Sequence, residues 1–224
     1  MPILDDFRSD LSLESAARAL RLDRREGGME TARGLLAEAG PLLTPRAFYR
    51  MVFIDSKSPD GVTLEGRPFR SRVLRVNLEK AEKAFPFVLT VGGGLEAAAA
   101  QAGDPLRQYH LESLADLALE AAAVQMELRL RNRYGFSGLS RMSPGSLEDW
   151  PLTEQIPLFD LLGDVETEAG VRLTDSLLML PRKSISGIFF PAEESFLSCR
   201  LCPRGVCPGR KAAYDPALWK EYQG

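Results

Sequence analysis

The chain has 224 residues, of which 45% are hydrophobic, and this is enough for one domain of ordinary size with its own core. Its 28 Lys and Arg residues against 31 Asp and Glu give a net charge of -3, so no basic field would attract nucleic acid. No apolar run approaches the roughly 20 residues of a membrane helix, and the acidic N-terminus lacks a secretion segment. We therefore expect a cytoplasmic protein that binds neither nucleic acid nor membrane.

Residues 11–50 carry a helical pattern. Apolar residues recur at helical spacing after Ser12, which predicts a first helix capped by this serine. METARGLLAEAG predicts a second helix that ends at Gly40-Pro41, and TPRAFYRMVFID predicts a third, with a strand left open at its end. Because these residues contain no reactive constellation, we expect residues 1–58 to form a helical N-terminal segment that serves as a cap or docking surface.

The pattern changes near residue 59. VTLEGRPFRS predicts a hairpin, and RVLRVNLEKAEKAF predicts a strand that gives way to a short helix. PFVLTVGGGLEAAAAQA predicts a strand, a glycine turn and an alanine-rich helix, an arrangement that can hold an anion through backbone N–H groups. Because Gly92-Gly93-Gly94 matches neither common nucleotide-binding spacing, we favour a tight turn that simply needs glycine.

The segment LESLADLALEAAAVQMELRLRNRYGF predicts the clearest helix of the chain. Four of its apolar residues share one face by spacing: Leu114, Leu117, Ala121 and Val124. Asp116 and Glu120 stand one turn apart, and no Lys or Arg follows four residues later, so the pair is either solvated or turned toward a ligand or partner. His110 is the only histidine, and we expect it to be structural.

The run RMSPGSLEDWP contains too many turn formers for a helix or a strand, and Pro144-Gly145 predicts a turn within it. LTEQIPLFDLLG then predicts a helix in which Pro157 marks the start or a kink. VRLTDSLLMLPRKSISGIFF predicts two strands. A loop that holds Arg141 beside flexible backbone is a plausible binding place for an anionic or carboxylate-bearing small molecule.

Taken in order, FVLTVGGGLE, SLADLALEAAAVQMELRLR, RMSPGSLEDWP and GVRLTDSLLMLPRKSISGIFF resemble the reactivation domain of cobalamin-dependent methionine synthase. That domain carries TGGLE, ALADxxAEA, RPAPGYP, GxxLTES and SVSGxxF motifs with similar gaps, and the match runs over residues 60–196. The chain looks like a free-standing version of the domain. The resemblance implies an α+β fold, with a curved, mainly antiparallel sheet packed against helices, over an activation-domain-like core of residues 59–198.

The resemblance also implies an activity. The family's domain binds S-adenosylmethionine and docks on the cobalamin domain of methionine synthase, or here another corrinoid protein, after the cobalamin has been oxidised. A methyl group from S-adenosylmethionine and an electron from a donor such as flavodoxin or ferredoxin then restore methylcobalamin. The implied role is accessory to a methyltransferase and depends on positioning and electrostatics, with no catalytic residue of its own. A non-catalytic module that binds a corrinoid protein and a metal-binding adaptor stay open as alternatives.

Matched motif by motif, the resemblance assigns site residues. Those assigned to S-adenosylmethionine are Arg141, Ser143, Gly145, Glu120 and Phe196. Arg141 matches an arginine that binds the methionyl carboxylate, and Phe196 stands about where the family has a tyrosine. Asp116 and Glu120 match residues at the cobalamin-domain interface, where the aspartate contacts the partner's displaced cobalt-ligand histidine.

Residues 199–224 replace the family's C-terminal helix with a tail that contains all three cysteines, Cys199, Cys202 and Cys207, followed by Pro208. A C-x2-C turn directs two thiolates at one ion, and a Cys-Pro pair is common beside iron–sulfur clusters. Three ligands are one fewer than a closed zinc site or a conventional cluster needs. An iron–sulfur cluster, a zinc ion and free thiols therefore all stay open, and the surrounding Arg and Lys residues favour thiolates or an acidic redox partner.

Overall fold

The computed structural model describes residues 3–4, 11–193, 195–207 and 209–223. The α-helices are α1 (Leu13–Ala19), α2 (Gly28–Ala39), α3 (Arg72–Asn77), α4 (Gly94–Ala100), α5 (Pro105–Tyr134), α6 (Gln155–Leu162), α7 (Val165–Ala169) and α8 (Pro216–Gln223). The strands are β1 (Ile3–Leu4), β2 (Arg46–Tyr49), β3 (Val52–Ser58), β4 (Gly61–Leu64), β5 (Arg67–Arg70), β6 (Lys83–Thr90), β7 (Leu139–Met142), β8 (Arg172–Leu173), β9 (Met179–Leu180) and β10 (Ser184–Pro191). The α+β fold with an antiparallel sheet is confirmed.

The chain divides into two compact units. The first comprises residues 1–48, 88–128 and 164–185, and the second comprises residues 49–87, 129–163 and 186–224.

The first unit has a core built between α1, α2, α4 and α5. Ser12 caps α1 as predicted, because its side chain accepts a hydrogen bond from the backbone N–H of Ser15. The core side chains are small or branched apolar residues, among them Ala16, Leu20, Ala32, Leu35, Leu95, Leu111 and Leu114. The predicted stop of α2 at Gly40-Pro41 is confirmed, since a short 3-10 helix begins there.

The predicted third helix is wrong. Arg46–Tyr49 forms β2, whose Ala47 and Phe48 pair with β1 in antiparallel register. Three consecutive residues of β2 are buried, so both of its faces are covered. A helix would bury only one stripe of such a segment, and the covered faces therefore favour a strand.

The helix α5 is confirmed, but its predicted apolar face is wrong at one end. Val124 is 48% exposed. The buried side of α5 carries Leu111, Leu114, Ala115, Ala118, Ala122, Met126 and Leu130. Because this helix contains many alanines, apolar residues occur on nearly every side of it, and spacing alone did not identify the face that is buried.

The second unit contains the predicted hairpin. β4 pairs antiparallel with β5, from Leu64 opposite Arg67 to Gly61 opposite Arg70. β3 pairs with β4 and with β6, and β10 pairs antiparallel with β7. The strands bury aromatic side chains, and the rings of Phe87 and Phe189 lie 4.5 Å apart.

The order predicted for residues 72–85 is reversed, because the helix α3 comes first and β6 begins only at Lys83. Ser71 causes this order, since its hydroxyl accepts a hydrogen bond from the backbone N–H of Leu74 and caps α3. The helix around Pro157 is confirmed. This proline lies in the first turn of α6, where backbone N–H groups have no partner within the helix, so a residue without an N–H is tolerated.

Candidate functional site

Arg141 lies in a strand, which corrects the prediction of a loop from its first residue. In β7, Arg141 is opposite Phe189 and Met142 is opposite Ile188 of β10. The turn begins only at Ser143, so Arg141 lies near the end of the strand, two residues before the turn. Pairing along a strand holds the Arg141 backbone more rigidly than an open loop would.

Gly187 of β10 sets how closely the turn after β7 approaches the sheet. A Cβ atom at Gly187 would lie 2.3 Å from the carbonyl oxygen of Met142 and 2.9 Å from Oγ of Ser143. No side chain fits there unless the strands separate, so glycine is required by space. Gly187 is the glycine of SISG, part of the sequence on which the resemblance rests, and close packing in this site explains why glycine occupies that position.

Hydrogen bonds within the turn fix its shape. Ser146 donates to the carbonyl oxygen of Ser143 from its backbone N–H at 3.1 Å and from its hydroxyl at 2.6 Å. Gly145 has a φ of +81° and donates its N–H to the carbonyl of buried Trp150 at 2.7 Å. The predicted turn at Pro144-Gly145 is confirmed, and glycine supplies the positive φ that this turn needs.

Two acidic residues tie the far end of the loop to the rest of the second unit. Asp149 accepts hydrogen bonds from the hydroxyl of Ser71 and, at 3.0 Å, from the backbone N–H of Val73 at the start of α3. Glu154 accepts one from the backbone N–H of Arg70 at 3.0 Å. No local pattern in the sequence indicates these contacts, because the partners lie about 80 residues earlier in the chain.

Phe196 joins the strand that carries Arg141. Its backbone N–H donates to Oγ of Ser140 at 2.8 Å, and its ring lies 6.3 Å from that of Phe190 and 6.1 Å from that of Tyr222. The second unit therefore contains Arg141, Ser143, Gly145 and Phe196, the residues assigned to the ligand apart from Glu120.

Asp116 and Glu120 belong to the first unit. The expectation that Asp116 lacks a basic partner is wrong, since Nζ of Lys183 donates to its Oδ1 at 2.7 Å. Asp116 nevertheless remains 66% exposed at its side chain, and Glu120 is partly buried. The partner lies far along the chain, where helical spacing rules do not reach.

Arg182, the residue before Lys183, also forms an ion pair in the first unit. Arg182 donates to the carboxylate of Glu96 from its backbone N–H at 2.9 Å and from Nε at 2.6 Å. Its guanidinium also lies 3.8 Å from Glu112 on α5. Burial raises the pKa of Glu96, but the hydrogen bonds and charge of Arg182 outweigh that effect and leave it below its ordinary value.

The glycine turn before α4 is structural, as we favoured. Gly92 has a φ of +81°, and a Cβ atom there would lie 2.0 Å from Oγ1 of Thr44. A Cβ at Gly94 would lie 2.3 Å from the carbonyl oxygen of Leu42. Close backbone packing within the first unit explains these two glycines without any ligand.

The cysteine tail is organised around an arginine. Among the described residues, no group of three His, Cys, Asp or Glu side chains is arranged to hold a metal ion, so the structure does not support the predicted zinc or iron–sulfur site. The guanidinium of Arg210 donates to four backbone carbonyls, those of Cys199 (3.1 Å), Ala212 (3.1 Å), Cys202 (3.2 Å) and Arg204. This internal cation closes the loop, and the three thiols are free and partly buried.

One of three comparisons with known proteins identifies the family. The family described as vitamin B12 dependent methionine synthase, activation domain, matches residues 76–198, more than half of the chain. The fold is similar to that in the crystal structure of the MetH reactivation domain bound to AdoHcy, with 19% identity, a TM-score of 0.60, and coverage of 88% of this chain and 80% of that one. No curated protein matches. Within the described residues, no helix has both the length and the apolar character to cross a membrane. The predicted resemblance is confirmed: the chain belongs to the family of vitamin B12 dependent methionine synthase activation domains.

Proposed function

We propose that this chain binds S-adenosylmethionine and supports the reductive remethylation of oxidised cobalamin on a partner methionine synthase. The family match over residues 76–198 carries this proposal. S-adenosylmethionine supplies a methyl group on a sulfonium, and the partner's cobalamin takes up that methyl together with an electron from a donor such as flavodoxin or ferredoxin. This chain then has only to bind, orient and shield the reactants, for which a proton-transfer pair is unnecessary.

In this proposal Arg141 binds the methionyl carboxylate, because a guanidinium fork matches a carboxylate with two parallel hydrogen bonds. Its strand is held by β10, and the turn after it is fixed by the bonds of Gly145 and Ser146. A preformed site of this kind loses little conformational entropy when a ligand binds. The similar MetH reactivation domain was crystallised with AdoHcy, which has the same adenosine and carboxylate groups, and this supports the ligand class.

The partner contact is proposed for α5 in the first unit. Asp116, whose side chain is 66% exposed although it pairs with Lys183, and the partly buried Glu120 lie there, and we place a partner imidazolium against these carboxylates. The cysteine loop is not assigned a metal in this account, because no group of three metal-ligating side chains is arranged for one among the described residues.

A reactivation assay tests the proposal. A methionine synthase that lacks its own activation domain is oxidised to cob(II)alamin and mixed with this chain, S-adenosylmethionine and a reduced flavodoxin. We expect the methylcobalamin absorption spectrum to return only when all components are present. No recovery and no S-adenosylmethionine binding, although the chain still binds the synthase, would favour the second candidate, a non-catalytic module that binds a corrinoid protein and has lost the ligand. Ser146 supports that candidate, because it stands where the resembled motif RPAPGYP has an aromatic residue.

A further inference from the structure

The three cysteines of the tail all follow residue 198, where the family match ends. All three are free thiols, and each is only partly buried, so a small reagent in solution can reach them. They lie outside the matched region, and the proposed function does not use them.

Cys199 and Cys202 stand at the two ends of one tight turn. The backbone N–H of Cys202 donates to the carbonyl of Cys199 at 3.3 Å, at the end of a 3-10 helix that spans Ser198–Leu201. A turn closed in this way keeps the Cα atoms of its first and fourth residues within about 7 Å, and side chains three residues apart in a 3-10 helix lie on the same side. Because disulfides span about 4.4–6.8 Å between Cα atoms, the turn brings both thiols within bonding range.

Contacts on both sides hold this turn in place. Leu201, between the two cysteines, is buried and anchors the turn in the second unit. The guanidinium of Arg210 donates to the carbonyl of Cys199 at 3.1 Å and to that of Cys202 at 3.2 Å. The two cysteines are thus held near each other before any reaction, so a bond between them costs little further conformational entropy.

The surroundings of the turn suit an exchange reaction at sulfur. The Sγ atom of Cys199 accepts a hydrogen bond from the backbone N–H of Lys211 at 3.4 Å. An N–H group in this place stabilises the negative charge that a sulfur carries when it attacks a disulfide. The residues directly after Cys202, which include Arg204, are exposed, so the approach to the turn is open and carries a positive charge that attracts carboxylates.

We infer that Cys199 and Cys202 form a dithiol site that reacts reversibly with disulfides of small, carboxylate-bearing thiols. This inference does not depend on the proposed function. The Cys199 sulfur attacks the small disulfide, breaks its S–S bond, forms a mixed disulfide and releases one small thiol. The Cys202 sulfur then attacks the Cys199 sulfur, and the second small thiol leaves. The chain loses two electrons and two protons to the two released thiols, and an S–S bond joins the two cysteines.

Peptide mapping of the full chain tests this inference. Reduced protein is equilibrated anaerobically, with a chelator present, in buffers of increasing ratio of oxidised to reduced glutathione, and is then alkylated and cut with trypsin. Cleavage after Arg200 and Arg204 places each cysteine on its own peptide, so mass spectrometry identifies the two that are joined. We expect a link between Cys199 and Cys202, with Cys207 alkylated, and loss of the link when reduced glutathione is restored.

The same equilibration in urea gives the reference, because the unfolded chain keeps the spacing of the cysteines but loses the turn. We expect the folded chain to be half oxidised at a ratio of oxidised to reduced glutathione about tenfold lower than the unfolded chain, since the turn holds the thiols together. Cys207→Ser is the matched control and should form the link at the same ratio as the wild type. A link through Cys207, mixed disulfides alone, or equal midpoints for the folded and unfolded chains would overturn the inference.

Discussion

Lys183 donates a hydrogen bond of 2.7 Å to the carboxylate of Asp116, across 67 residues of sequence. The lysine side chain is only 16% exposed, whereas that of the aspartate is 66% exposed. Because one partner is well solvated, we expect this pair to contribute little, about 0.2–1 kcal/mol. A double-mutant cycle with Lys183→Met and Asp116→Asn, measured by urea unfolding, gives the coupling free energy. A value above about 2 kcal/mol would contradict this view of the pair as a solvated contact.

Gly187→Ala tests the packing of the turn against the sheet. Its new methyl group would meet the carbonyl of Met142 at 2.3 Å, so we expect a loss of about 1–3 kcal/mol in the free energy of unfolding. Gly34→Ala on α2 is the matched control, because nothing lies within 4 Å of its new methyl group, and it should stabilise by up to about 1 kcal/mol. Equal Tm values for the two variants would refute the close approach described for Gly187.

Protonation of His110 should make the stability of the fold depend on pH. Because it is the only histidine of the chain, its titration can be measured without overlap from another imidazole. Burial, followed by the positive charge of Arg25, holds the pKa of His110 below its ordinary value of 6.5, and Asp104 opposes this only in part. The unfolded chain therefore binds this proton first, so stability should fall as the pH drops below about 6.5 and level off below the folded pKa. Titration of the one imidazole signal by NMR should give a pKa below 6.5, and a value at or above 6.5 would contradict the buried placement.

Arg210→Met tests the role of the guanidinium in the cysteine tail. The variant keeps an apolar stem of similar length but loses hydrogen bonds to the carbonyls of Cys199, Cys202 and Ala212. We expect the loop to open, so the three thiols should react faster with a disulfide reagent under native conditions. Lys220→Met, a change at an exposed lysine of α8, is the control and should leave the rates unchanged. Equal thiol reaction rates in the wild-type chain and in Arg210→Met would contradict this role of the guanidinium.

Features with a local physical cause were predictable from the sequence. The helix α5, the glycine turn before α4 and the β4–β5 hairpin all follow from spacing and turn chemistry within about 20 residues. The turn at Gly145 likewise follows from a dipeptide that supplies a positive φ.

Features set by distant contacts were not predictable. Arg141 lies in a strand because β10, more than 40 residues later, pairs with it. Asp149 caps a helix that starts at Arg72, and no local pattern marks that pair. The three clustered cysteines left a metal and free thiols open, and their spacing did not show that Arg210, three residues after the last cysteine, donates to the carbonyls of that loop. Such contacts depend on the folded chain and on no single spacing.

Titration of the chain with S-adenosylmethionine by calorimetry tests the central claim most directly. We predict binding by the wild-type chain, and a loss of about 2 kcal/mol or more in Arg141→Ala, the range for a charge-assisted pair to a carboxylate. Arg172→Ala, an exposed arginine outside the proposed site, should bind as the wild type does. Absence of binding by the wild-type chain, or equal affinities of wild type and a folded Arg141→Ala variant, would contradict the account.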